Sequence, residues 1–370
     1  MSKDCFAIAD RMRLLDASGI RKVFDLAAKM TDPINLSIGQ PDFDVPESVK
    51  DKAIEAIRAG LNQYTQTQGL AELRRAVGAA CRQEFGWADD RPYLITSGVS
   101  GALMLALLTT VNPGDEVIFA DPYFVMYAHL TNLCGGACVP VDTYPDFRPD
   151  INRIADAVTD RTRLLVINSP ANPTGVVYTE RELKDIADLA ARRELLVLSD
   201  EIYNFFCYDG PFSSIASFHE NTLLMRGFSK TYGMPGWRMG WCTGPRKIIE
   251  KMTMLQQYSF VCAPSMAQAA SVVALETDMS DRRAAYARKR DMVYAALGAK
   301  FGLIKPGGAF YAFVPAPGGD ATAFVDKAIA NNVLIIPGKV FSPRDTHFRL
   351  SYAASDEKLA RGLEILCKLA

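Results

Sequence analysis

Between about residues 90 and 245, short apolar runs alternate with stretches of helical periodicity. The runs are "PYLITSG", "EVIFADP", "ACVPVD", "RLLVINSP", "LLVLSDE", "TLLMRGFSK" and "RMGWCTG". They are β-branched or leucine-rich, and several end in Gly, Pro, Ser, Asn or Asp, which are strand and turn signals. Among the helical stretches, "TERELKDIADLAARREL" opens with Thr179 and Glu182 at capping-box spacing. It then places Leu183, Ile186, Ala187 and Ala190 on one face. Strands alternating with helices predict an α/β domain around a mainly parallel sheet of seven strands. Ligands of such sheets sit outside the carboxyl ends of the strands. The loops "SGVSG", "DPYFVMY", "NSPANPTG", "SDEIY" and "GFSK" are therefore expected on one rim.

The pattern changes toward the C-terminus. "DRRAAYARKRDMVYAALGAKFG" reads as a long charged amphipathic helix. "GGAFYAFVP", "NVLIIPG" and "HFRLSYA" follow as strands, and "SDEKLARGLEILCKL" as a last helix. This predicts a smaller α+β unit. The expected division is an arm over 1–13, a small domain from 14–45 with 280–370, and a large domain over 46–279. No internal repeat or low-complexity linker is visible.

Composition narrows the function. The chain has 370 residues, 49% hydrophobic and 22% charged, with a net charge of −1. That is ample material for a large core and advertises no field for a polyanion. No Lys/Arg-rich run occurs, against nucleic acid as a partner. The 8 cysteines form no CxxC and no zinc spacing, which reads as reduced thiols in a cytoplasmic protein. The first residues, "MSKDCFAIADRMRLLD", carry charges where a signal peptide needs an apolar run. No stretch reaches the length of a membrane span. Only 3 histidines occur, and none adjoins a Ser or Cys in a nucleophile motif. The chemistry must rest on other residues.

The rim loops supply them. Lys230 lies in "GFSKTYGMPGWRMGW" among aromatics and glycines, with Arg238 eight positions on. A lysine becomes a nucleophile for carbonyls when desolvation or neighbouring cations lower its pKa. Phe228, Tyr232 and Trp237 offer the apolar setting, and Arg238 the positive potential. Asp200 follows a very apolar strand; it suits a helix cap, or a fixed anion facing a pyridinium nitrogen. Tyr203, on the same loop, has a phenol to donate to a cofactor oxygen. Asn172 stands in "SPANPTG", equally a turn segment. "TSGVSGAL" is a strand ending at a helix start, where backbone N–H groups bind phosphate. It matches neither a P-loop nor GxGxxG. Phe124 in "DPYFVMY" suits stacking on a flat ring as well as core packing. Arg349, alone in the apolar "HFRLSYA", needs an anionic partner if buried: an internal acid, or a substrate carboxylate.

Together these segments resemble the class I/II aminotransferases, the pyridoxal-phosphate enzymes of fold type I. The resemblance runs from "LSIGQPDFDVP" through "YTQTQGLAELRRAV", "SPANPTG", "SDEIY" and "GFSKTYGMPGWRMG" to "PGGAFY" and "FRLSYAAS". It implies that Lys230 is the Schiff-base lysine and the proton carrier. Asp200 pairs with the pyridine nitrogen, Asn172 and Tyr203 bond the ring oxygen, and Phe124 stacks on the ring. Gly98, Val99 and Ser100 cradle the phosphate with Arg238. Tyr64 reaches the phosphate of the neighbouring subunit, implying a homodimer with shared active sites. Arg349 holds the substrate carboxylate, helped by the Gly39 backbone and Asn172. Ping-pong transfer between an amino acid and a 2-oxo acid is the implied reaction.

The chain departs from the pattern at two places. Gly227 stands where better-known members carry a phosphate-binding serine, and Phe124 replaces a tryptophan. Residues 253–281 contain no Lys or Arg, so an acidic substrate needs another cation, such as Arg21 or Lys22. Ile20, Tyr258 and Phe260 favour aromatic or neutral side chains instead. The expectation is a broad amino-acid:2-oxoglutarate aminotransferase with aspartate and aromatic donors. A β-eliminating carbon–sulfur lyase on the same fold is the alternative. A pyridoxal-phosphate-responsive regulator or a purely structural protein ranks below both.

Overall fold

The computed structural model describes residues 8–15, 19, 23, 26–28, 30–88 and 90–370. Ile20, Arg21 and Lys22, and the first seven residues of the expected arm, lie outside them. In chain order the strands are β1 (Ile34–Asn35), β2 (Tyr93–Ser97), β3 (Glu116–Asp121), β4 (Ala137–Asp142), β5 (Thr162–Asn168), β6 (Leu196–Asp200), β7 (Thr222–Gly227), β8 (Met239–Thr243), β9 (Tyr311–Pro315), β10 (Val333–Leu334), β11 (Ile336–Pro337) and β12 (His347–Ser351).

All seven apolar runs between residues 90 and 245 form one sheet, in the order β2-β8-β7-β6-β5-β3-β4. Strands β7, β6, β5, β3 and β4 are mutually parallel. β8 runs antiparallel to both its neighbours, β2 and β7. This reversal matters for the site. Arg238 precedes β8, and only an antiparallel strand starts where the others end. One rim thus gathers the segments after β2, β3, β5, β6 and β7, together with Arg238.

The helix Gly98–Thr110 carries no charge and is apolar around its whole circumference. Such a helix must be enclosed. It packs on β2, β7 and β8 and on the helices Met126–Leu133 and Arg246–Gln257. The helix Glu180–Arg192 starts as its sequence directs. Glu182 N donates to Thr179 Oγ1, and Thr179 N donates to the Glu182 carboxylate at 2.6 Å. Leu183, Ile186, Ala187 and Ala190 are buried.

The C-terminal strands differ from their expected form. "NVLIIPG" is not one strand but two. β10 pairs in parallel with β1, while β11 pairs antiparallel with β12, which also pairs with β9. Val333, Leu334, Ile335 and Ile336 are all fully buried. A run apolar on both faces serves two sheets because neither face needs water. The helix Ser280–Phe301 buries two of its charges. Lys289 bonds Asp42 and the Ala354 carbonyl, and Arg290 bonds Asp209 at 2.9 Å. Among the described residues no helix is long and apolar enough to cross a membrane.

Candidate active site

A cavity of about 230 Å³ opens on the rim. Of the residues singled out in the sequence, Gly39, Val99, Ser100, Phe124, Asn172, Asp200, Tyr203, Lys230, Arg238 and Arg349 line it. None of the three histidines does.

Lys230 follows the end of β7 and donates its Nζ to the Gly39 carbonyl at 2.6 Å. The amine lies 6.0 Å from the centre of the Tyr203 ring and 5.9 Å from that of Phe310. Burial above all, then the Arg349 and Arg238 charges, bring its pKa down to about 8 against the opposing pull of Asp200. About a tenth of the amine is therefore unprotonated at pH 7, far more than for an ordinary lysine.

Asp200, the last residue of β6, is 2% exposed. Its Oδ2 accepts from the Tyr127 hydroxyl at 2.8 Å and its Oδ1 from the Ile202 N–H at 3.3 Å. Burial lifts the carboxyl to about 6; the two hydrogen bonds and the Lys230 charge act in the opposite sense. Asn168, at the end of β5, ties two rim loops together. Its Nδ2 donates to the Asp200 carbonyl and its Oδ1 accepts from the Asn172 N–H, both at 2.9 Å. The Tyr203 hydroxyl lies 2.9 Å from that of Tyr311.

Gly98 has φ +69°, and a Cβ there would come within 2.7 Å of an Arg238 Nη. Glycine lets the guanidinium lie against the start of the helix, where free N–H groups gather. Arg238, itself left-handed at φ +55°, donates to Pro235 O at 3.0 Å and Ser97 O at 3.4 Å. Gly227 has a packing reason: a Cβ would stand 3.0 Å from Ile202 Cδ1 and 3.1 Å from Met239 O. A serine at this place requires its neighbours to give way.

Arg349 sits mid-strand in β12, 1% exposed. It donates to Asn172 Oδ1 at 3.0 Å and Ser37 O at 2.7 Å. Its guanidinium lies between two rings, 4.6 Å from the centre of Tyr311 and 4.7 Å from that of Phe341. Its Nε has no partner. Among the described residues no carboxylate pairs with it, so the internal acid is not there. Burial pulls its pKa down, and a buried cation with an open N–H is suited to an anion as its complement.

Tyr64 is not in the cavity; its side chain is 83% exposed. Sequence reasoning missed Tyr127, Asn168, Tyr311 and the Ser37 carbonyl. Tyr127 and Tyr311 sit inside segments already read, "DPYFVMY" and "PGGAFY". Each is one of several aromatics there, and nothing local tells which one turns inward.

The family model for "Aminotransferase class I and II" matches residues 31–366. Aromatic-amino-acid aminotransferase 2 of Thermococcus litoralis is 37% identical, over 98% of each chain. Aspartate aminotransferase of Pyrococcus abyssi is also 37% identical, with the same coverage. Among solved structures, aspartate aminotransferase from Thermus thermophilus with maleate superposes with a TM-score of 0.95. It is 33% identical and covers 99% of this chain and 100% of its own. With its fold type I architecture, the chain belongs to the class I/II aminotransferases and is a pyridoxal-phosphate-dependent enzyme acting on amino acids and 2-oxo acids.

Proposed function

We propose that this enzyme moves the amino group of aspartate or an aromatic or neutral L-amino acid to 2-oxoglutarate by a ping-pong mechanism. The observation that carries the reading is one cavity lined by a lysine of lowered pKa, a buried acid and two arginines. The residues fit the cofactor's parts. Asp200 lacks a full cationic partner and faces the cavity, which suits a protonated ring nitrogen. The Gly98 cradle, Val99, Ser100 and Arg238 suit a phosphate. Phe124, set edge-on to Tyr127 with centroids 5.8 Å apart, suits a ring face. Asn172 and Tyr203 suit a ring oxygen.

Bound there, pyridoxal phosphate supplies an aldehyde and an electron-withdrawing ring that accepts charge from the substrate's Cα. The protein does the rest. Arg349 takes the substrate α-carboxylate and fills its own bonding gap, with Asn172 and the Gly39 backbone beside it. Lys230, once its nitrogen is free, removes the proton from Cα and returns it on the cofactor side. Asp200 keeps the ring nitrogen protonated by staying anionic against it. The second half runs the same steps backward on the oxo acid.

The relatives, named as an aromatic-amino-acid and an aspartate aminotransferase, support these donors. Residues 253–281 offer no cation for a distal carboxylate, which supports breadth rather than strict preference for acids. The 83% exposure of Tyr64 and 84% of Tyr258 support a homodimer in which Tyr64 reaches the partner's phosphate. The expected division into arm, small domain and large domain belongs to this proposal. The test is glutamate formation from 2-oxoglutarate with aspartate or phenylalanine as donor. Activity with neither overturns the donor assignment; a monomer by light scattering overturns the shared site.

A further inference from the structure

Tyr311 touches both Tyr203 and Arg349 in the cavity, yet the reaction as proposed gives it no part. It is 1% exposed. Its hydroxyl is 2.9 Å from the Tyr203 hydroxyl, and its ring lies under Arg349. A Cβ on Gly39 would fall on the Tyr311 oxygen, so the hydroxyl has its place only because residue 39 is glycine. Two phenols share one hydrogen bond here, and only one of them donates it. The other hydrogen must point elsewhere.

The local field decides which. The Arg349 cation stands over the Tyr311 ring; its field reaches Tyr203 as well, but there the Asp200 carboxylate opposes it, while Tyr311 feels no such opposing anion. A neighbouring cation makes a hydroxyl a better donor and a poorer acceptor, and in a low-dielectric site that polarisation is felt strongly. We infer that Tyr311 is a positioning residue: it donates its hydrogen to the Tyr203 oxygen, so that the Tyr203 hydrogen is presented to the cavity. This rests on the reading above, in which the ring oxygen of the cofactor receives that hydrogen. Without Tyr311 the Tyr203 hydroxyl is free to turn, and its donation into the cavity is shared among several orientations.

The test is an absorbance titration of the pyridoxal-phosphate-loaded enzyme, with Y311F, Y203F and the double variant. A hydrogen donated to the ring oxygen stabilises its anionic form. Losing that donation raises the pH at which the bound chromophore gives up its proton. Y203F is expected to raise the titration midpoint. Y311F raises it less, by about half a unit to one unit, and adds nothing in the Y203F background. Y311F keeps the ring under Arg349, so the KM for the amino acid stays within about twofold, which a general loosening of the site would not allow. An unmoved midpoint in Y311F overturns the inference. So does an equal shift with and without Tyr203. A Y203F midpoint identical to wild type instead overturns the placement of Tyr203 against the cofactor, and the two failures are told apart in one series. Thermal melting of Y311F confirms that the titrated protein is folded.

Discussion

Asp200 and Glu201 are neighbours at the end of one strand, both acids, both at most 2% exposed. They point to opposite sides, as successive residues of an extended chain do. Glu201 meets a complete set of partners. Its Oε2 accepts from Arg226 Nε at 2.9 Å and its Oε1 from Ser199 at 2.8 Å and Ser214 at 2.5 Å. Arg226 is shared with Glu84 at 2.6 and 2.7 Å. Asp200 has a phenol and one backbone N–H. Burial raises both carboxyls, but only Glu201 has a buried cation bonded to it in return. One acid finishes a structure; the other is left short of a cation where a ligand is expected to bring one. An incomplete partner set, not burial, separates the candidate site residue from the structural one.

Four experiments test that contrast. Glu201→Ala strands Arg226 with only Glu84, and the expected loss of unfolding free energy is about 3 kcal/mol, read by denaturant titration. Turnover per folded molecule is expected to fall less than about tenfold. Asp200→Asn should do the reverse. Turnover drops by ~10²–10³-fold, while the cofactor-free protein gains about 1–2 kcal/mol at pH 7. If both variants destabilise equally, the contrast collapses. The pH dependence sharpens it. The folded-state pKa of Asp200, about 6, lies above its ordinary 3.8, so the folded protein holds a proton that the unfolded chain releases between those values. Its contribution to stability is full below about pH 4 and is lost as pH rises through 6. The stability gap between Asp200→Asn and wild type, both cofactor-free, should open across that window and stay level above it. Tyr127→Phe has the smallest effect. It removes one donor to Asp200, costing about 1 kcal/mol and moving the Asp200 midpoint upward, visible in the same pH series.

The sequence was legible where chemistry and pattern coincide. The central runs were readable because burial on both faces leaves few polar interruptions; β4, at the sheet edge and mostly exposed or half-buried, was readable from its β-branched residues instead. Lys230, Asp200, Asn172 and Tyr203 stood out because each follows such a run at a rim. The antiparallel course of β8 was not readable, since its apolar run looks the same in either direction. Nor was the splitting of "NVLIIPG", because four successive buried residues name no single partner sheet. Tyr127 and Tyr311 escaped for another reason. They reach the site by contacts 73 and 108 residues away in the chain, and an aromatic among aromatics carries no mark of which way it turns. Gly227 was noticed as an absence of serine; its crowding by Ile202 and Met239 is visible only in three dimensions.

The bond from Arg349 to the Ser37 carbonyl joins residues 312 apart in sequence, and it bears on how the protein is made. Residue 37 leaves the ribosome early, and its partner arrives when almost the whole chain has been synthesised. β2 likewise waits for β8 before its pairing is complete. Domains tend to fold as units as they emerge, so the large sheet has the chance to form while the arginine that closes the cavity is still unmade. A nascent chain stalled before residue 347 would carry the lysine, the acid and Arg238, but not Arg349. Such a chain is a candidate to capture the aldehyde cofactor before it has the arginine proposed to grip the amino acid.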